Sequence, residues 1–193
     1  SRALEWNLVD DLVSPTKFND LVKQRADEFA IRSDRPTDQE GIRLAPLKVK
    51  HEDKSYHYSS LRVDLNPEMG VGEITILGPT DDVPNDINQM LLEGDRFWPL
   101  RVARELDDAI LQLRFNELQI GVIVFKSIGS PLEVAKYCNC LQENKDHWFV
   151  REVILYWTRV LKRIDLTSRS LISLITPDSC FSGFLAEIIL ASD

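Results

Sequence analysis

Apolar residues at Phe18, Leu21, Val22, Ala26, Phe29 and Ala30 return every three or four positions, with Arg25 in the remaining slot. That period predicts an amphipathic helix opened at Ser14-Pro15 and closed near Arg32. Ahead of it, Ala3 to Asp10 reads as the end of a helix running into a short extended segment. Residues 33–46, mixed in Ser, Asp, Arg, Pro and Gly without an apolar period, are expected to be a linker. Leu47 to Lys50, Tyr56 to Leu65 and Val71 to Leu77 have the content of short strands. The last two are joined by Asn66-Pro67-Glu68-Met69-Gly70, which predicts a small antiparallel hairpin or meander. A loop from Gly78 to Pro84 precedes a helix from about Asp86 to Leu92, so the chain is expected to divide near residue 80.

The C-terminal hundred residues carry the strongest patterns. From Pro99 onward, Leu100, Ala103, Leu106, Ile110 and Leu113 mark one face of a long helix. Ile120 to Phe125 is short, apolar and β-branched, as a buried strand is. A helix from Ser130-Pro131 to about Leu141 comes next, then another from about His147 to Ile164 with Val150, Ile154, Trp157 and Leu161 on one face. Leu171 to Thr176 reads as a second buried strand, and Ser179 to Ala191 as loop then helix. Helices alternating with buried strands predict an α/β fold with parallel strands and crossover helices.

Composition narrows the function classes. The 193 residues are 44% hydrophobic and 28% charged, enough for a core. Lys and Arg number 23 against 31 Asp and Glu, a net charge of -8 that repels a phosphate backbone, so no nucleic acid partner is expected. No apolar run suits a membrane span and no basic-then-apolar start suits a signal peptide, so a cytoplasmic protein without a membrane partner is expected. Cys138, Cys140 and Cys180 form no CxxC pair, so reduced thiols are expected. With Ser1 first and only Met69 and Met90 as methionines, the chain is expected to be a fragment or a processed form. No HExxH, GxGxxG or ligand cluster is present, so neither a metal nor a cofactor is expected.

Candidate chemistry concentrates in Thr176 to Glu187. A strand that feeds a loop into a helix start offers unpaired backbone N–H groups to an oxyanion, and Gly183 would let a ligand approach. A thioester carbonyl suits that arrangement, with Glu187 as acid or base. A glutamate in a first helical turn is otherwise simply favourable with the helix dipole. The neighbouring candidates all have plainer alternatives. Cys180 near a helix start is either a reactive thiol or, more commonly, an apolar filler. His147, beside Asp146 and Trp148, is a proton shuttle or a packing residue. Glu105, Asp107 and Asp108 do not converge on one point of a helix, so a solvated face with one contact to Arg101 or Arg104 is expected. Phe97, Trp98, Trp148, Phe149 and Trp157 line an acyl pocket or pack a core.

The stretch Ile172 to Asp193, with Gly183 ahead of Glu187 and Asp193 six positions later, resembles the crotonase (enoyl-CoA hydratase/isomerase) signature. Arg2-Ala3-Leu4-Glu5-Trp6-Asn7-Leu8-Val9-Asp10 is similar to a late helix and turn of the same superfamily. A late element ahead of an early one implies the close of one crotonase-like half joined to the start of another. Within the superfamily the chain resembles the two-half, ring-cleaving benzoyl-CoA lyases at Trp98-Pro99-Leu100, at Ala103 to Ile110, at Lys145 to Glu152 and at Pro177 to Glu187.

The resemblance implies a crotonase-like α/β fold, a partial ββα spiral with a small hairpin region and flanking helices. Residues 1–35 would be the tail of a first half, 36–80 the linker and hairpin, and 81–193 the beginning of a second, degenerate half. It implies opening of the oxygenated ring of 2,3-epoxybenzoyl-CoA or its dihydrodiol to 3,4-didehydroadipyl-CoA semialdehyde and formate, in aerobic benzoate degradation. The partners it implies are the acyl-CoA substrate, the other crotonase-like half and a homo-oligomer. Gly183 and Phe184 would be backbone oxyanion donors, Glu187 the catalytic acid or base, and Cys180 and His147 neighbours of the acyl-CoA. Two departures stand out: Lys126-Ser127-Ile128-Gly129-Ser130-Pro131 replaces the family's other donor loop, and Ser182-Gly183-Phe184 its glycine triplet. The family's second glutamate would fall beyond Asp193. The chain alone is therefore expected to be inactive, and a non-catalytic scaffold is the rival reading.

Overall fold

The computed structural model describes residues 1–34 and 40–193. They form two compact units, Ser1–Glu40 and Gly41–Asp193.

In the first unit, α1 (Arg2–Glu5) is capped by the Ser1 hydroxyl, which accepts the Ala3 N–H. A turn of 3-10 helix at Pro15–Lys17 leads into α2 (Phe18–Arg32). The expected period is present, yet no α2 residue is buried, and Phe18, Val22 and Phe29 are exposed. Arg25 ties the extended segment to the helix, donating to Asp11 at 2.6 Å and to Glu28 at 2.7 Å. Part of the expected linker, residues 35–39, lies outside the described residues.

The second unit is built on a six-stranded mixed sheet in the order β1 (Lys50–Glu52), β2 (Ser55–His57), β3 (Leu61–Asn66), β4 (Val71–Leu77), β5 (Val122–Ile128) and β6 (Ser170–Ser173). β1 to β4 form an antiparallel meander, whereas β4, β5 and β6 are parallel. Between β4 and β5 run α3 (Ile87–Glu93) and α4 (Trp98–Asn116); between β5 and β6 run α5 (Pro131–Glu143) and α6 (Trp148–Asp165). After β6 a 3-10 turn at Gly183–Leu185 enters α7 (Ala186–Leu190).

β4 of the meander pairs along its whole length with β5, and the compact units part at Glu40/Gly41, whereas the sequence suggested a division near residue 80. Two strand expectations are corrected. Tyr56 to Leu65 is two strands, since Tyr58 donates its N–H to the Leu61 carbonyl at 2.9 Å and closes a tight turn. β6 is shorter than Leu171 to Thr176: Leu174 still donates to the Phe125 carbonyl, and then the chain leaves the sheet.

Alternate residues bury one sheet face, Leu61, Val63, Ile74, Ile76, Ile123 and Phe125 among them, against Val102, Leu106, Ile110 and Leu113 of α4. α6 packs beside α4, with the Trp157 indole N–H donating to the Pro99 carbonyl at 2.9 Å. Phe97, Trp98, Phe149 and Trp157 are all buried, the core role of the two the sequence left open. Among the described residues no helix is long and apolar enough to cross a membrane.

Arg169 holds the far end of this layer. Its guanidinium donates to the carbonyls of Leu113 and Ile120, each at 2.7 Å, and of Glu117 at 3.3 Å, so it satisfies the open end of α4 and the approach to β5 together. Arg169→Ala is expected to lower unfolding stability by about 2–3 kcal/mol. Arg169→Lys should recover less than half of that, because an ammonium lacks the rigid planar spread by which Nε and Nη reach carbonyls of both segments. Urea denaturation of the two variants measures both values; equal stability of Lys and Arg would contradict the role given to the fork.

Candidate functional site

The segment after β6 first closes on itself. The Thr176 hydroxyl donates to Asp178 at 2.6 Å, the Thr176 N–H to the Ser179 hydroxyl at 2.9 Å, and the Ser179 N–H to the Thr176 carbonyl at 3.0 Å. The hydroxyl of Thr176 is the main influence that holds the Asp178 carboxyl below its ordinary range.

Beyond that turn the chain crosses the ends of β4 and β5. Gly78 and Gly129 touch there: a Cβ on Gly129 would stand 3.0 Å from the Gly78 Cα and 3.5 Å from the Cys180 sulfur. Cys180 is fully buried between them, donating its N–H to the Ser127 hydroxyl at 2.9 Å, while Gly129 donates to the Asp178 carbonyl at 3.0 Å. Burial pushes the Cys180 thiol up against the opposing hydrogen bonds from Ser127 and from the N–H groups of Cys180 and Gly78. The glycines that permit close approach at the strand ends are therefore Gly78 and Gly129, and Cys180 is the small side chain that fills the gap.

Gly183 lies on another neighbour. Its φ is +50°, and a Cβ there would fall 1.9 Å from the Cys138 sulfur and 2.9 Å from the Cys138 Cβ on α5. Burial holds the Cys138 thiol above its ordinary range, against a smaller opposing influence from the Phe184 backbone. The Phe184 ring is packed against Trp157 at 4.5 Å and Trp98 at 5.6 Å between centroids. A helical turn does start at Gly183, as the sequence suggests. The space expected for a ligand beside its backbone is nevertheless occupied by Cys138, a contact between positions 45 residues apart that no local motif marks.

Glu187 is exposed in the first turn of α7. His147 belongs to α6, where its Nδ1 accepts the Phe149 N–H at 3.3 Å and its ring lies 5.7 Å from that of Trp148. It is the N-cap of that helix. The described contacts thus unite Gly183 and Phe184 with Cys138, Trp98 and Trp157, and tie His147 to its own helix.

The carboxylates of α4 contradict the solvated face expected of them. Glu105 is 4% exposed and accepts the Ser60 N–H at 2.7 Å, the Ser59 N–H at 3.2 Å and the Ser59 hydroxyl. Asp107, 8% exposed, pairs with Arg163 at 2.5 Å. Asp108 accepts the Tyr58 hydroxyl at 2.7 Å; burial and then this carboxylate push the tyrosine's ionisation far up. Arg101 donates instead to the Ser60 hydroxyl, and Arg104 to the Ala45 carbonyl. These acids anchor α4 to the β2–β3 turn and to α6, and sequence spacing alone could not show it because the partners are distant in the chain. Among the described residues, no group of three or more His, Cys, Asp or Glu could hold a metal ion.

No family model matches the chain. Benzoyl-CoA-dihydrodiol lyase of Aromatoleum evansii is 39% identical over 192 residues. The chain is related to this lyase from end to end. The matched stretch is 100% of this chain and 35% of the lyase, so the chain spans about a third of its relative's length. Relatedness therefore covers both compact units, including the 183–185 turn and the α4 acids.

The contact between Gly183 and Cys138 is directly testable. Gly183→Ala is expected to cost about 2–4 kcal/mol, from overpacking and from the positive φ. Cys138→Ala, which removes the sulfur, should restore part of the loss when the two are combined. A double-mutant cycle by thermal unfolding reads the coupling; strictly additive losses would show that the clash is relieved elsewhere.

Proposed function

We propose that this chain is a portion of a crotonase-type, carbon–carbon lyase that opens the oxygenated ring of 2,3-epoxybenzoyl-CoA or its dihydrodiol and releases formate. In this reading residues 41–193 are a degenerate part of the spiral that supports the catalytic machinery without containing it. Residues 1–35 close the preceding half. The partners are then the acyl-CoA thioester, the catalytic half and, in the assembled enzyme, further copies, with no metal or organic cofactor engaged by this portion.

The observation that carries the lyase assignment is the end-to-end identity to the Aromatoleum enzyme. The division of labour rests on the backbone donors. Thioester chemistry of this kind needs two N–H groups aimed at the developing oxyanion and an acid/base pair in fixed relation. Here the Gly129 N–H is given to the Asp178 carbonyl, and the backbone at Gly183, just ahead of Phe184, is seated on Cys138. Moving either would break contacts that hold the 176–185 segment on the sheet.

A second reading has a specific observation in its favour: Gly183 begins a helical turn, and both Gly183 and Glu187 are exposed. Gly183 and Phe184 would then be oxyanion donors with Glu187 as acid or base and with Cys180 and His147 near the acyl-CoA, provided Cys138 leaves room for the ligand beside Gly183.

Formate release separates the two. The purified chain incubated with 2,3-epoxybenzoyl-CoA is expected to yield no formate above background. A lyase-length chimera, in which this chain replaces the matched stretch of the Aromatoleum enzyme, should turn over with Glu187→Gln changing the rate by less than about twofold. Formate from the chain alone, abolished by Glu187→Gln, would place the working site in residues 176–187 and reject the supporting role.

A further inference from the structure

The helices of the second unit cover one face of the sheet, and the parallel strands carry an aliphatic row on the other. Leu77 is 40% exposed, Ile128 47%, Ile172 49% and Leu174 43%. The register makes these neighbours: Leu77 stands opposite Ile128, and half-buried Val124 opposite Ile172, with Leu174 continuing β6 through its bond to Phe125. Toward the meander the same face turns polar, but its charges are already matched. Glu73 is paired with Lys126, and Arg62 with Asp64.

Parallel strands ordinarily lie under cover on both faces, and an aliphatic patch beside neutralised charge pairs suits an apolar layer and not a charged ligand. We propose that the open face of β4, β5 and β6 is the docking surface for the remainder of a lyase-length enzyme, seated on Leu77, Val124, Ile128, Ile172 and Leu174. This rests on the proposed lyase function. The occupant is argued from two observations: the Aromatoleum lyase has about two-thirds of its length outside the matched stretch, and the face offers no unpaired charge from these residues to recruit a nucleic acid or an acidic peptide. The Glu73–Lys126 pair would form the polar rim.

Thiol labelling tests this. Ile172→Cys and Leu174→Cys are introduced into the 193-residue chain and into the lyase-length chimera, with Leu190→Cys, exposed on α7, as the reference. Maleimide labelling is read site by site by mass spectrometry, which separates the new thiols from Cys138, Cys140 and Cys180. The thiols at 172 and 174 are expected to label as fast as that at 190 in the chain, and at least tenfold slower in the chimera, where 190 is unchanged. Equal labelling in both forms would overturn the proposal. So would protection that develops in the chain alone as its concentration rises, since that assigns the face to a second copy. If the chimera does not fold, the same comparison is made in the intact Aromatoleum lyase at the aligned positions, with the same expectation and the same overturning result. Formate release by the unsubstituted chimera is scored separately: a protected face without turnover removes the proposed activity and leaves the docking surface, and turnover with an unprotected face does the reverse.

Discussion

Pairing β4 with β5 in parallel, Val71 against Val122 through to Leu77 against Ile128, obliges the chain to travel back along the sheet between the two strands. α3 and α4 are that return path, and α5 with α6 repeat it before β6. Both returns place their helices over one face, so the core forms between α4, α6 and the alternating residues of β3 to β5. The buried acids are a consequence of the same layout. With α4 lying over the meander, Glu105 reaches the donors of the Ser59-Ser60 turn, and Asp107 reaches Arg163 of the neighbouring helix. A buried carboxylate is tolerated there because each is supplied with donors; removing those donors would leave a desolvated charge.

At the other end of the parallel strands the constraint is steric. Gly78 and Gly129 allow the chain to pass close over the strand ends, and Cys180 occupies the remaining gap. That seating leads directly to the turn at Gly183, whose missing side chain accommodates Cys138. Three small residues and one positive φ thus fix where Phe184 goes. Its ring is then placed among Trp98 and Trp157.

Much of the architecture is legible along the chain. The three- and four-residue spacing of Leu100, Ala103, Leu106, Ile110 and Leu113 marks α4 and its buried face, and that of Val150, Ile154, Trp157 and Leu161 marks α6. Val71 to Leu77 coincides with β4, and Ser130-Pro131 opens α5 as a helix start should. These features are local, because periodicity reports which side of an element is apolar and capping residues act within one turn of themselves. The relation to the Aromatoleum lyase likewise runs along the whole chain.

The features that only the tertiary structure decided depend on partners far away in the chain. Spacing on α4 suggested that its acids face water; the bonds of Glu105 and Asp107 to residues about 45 and 56 positions distant bury them. The period of α2 predicted an apolar face but not that Phe18, Val22 and Phe29 would stay exposed. The backbone beside Gly183 looked open at a helix start, and Cys138 occupies that space. In each case the residue type sets what a group can do, while burial and the nearest donor, acceptor or sulfur set whether it is free to do it.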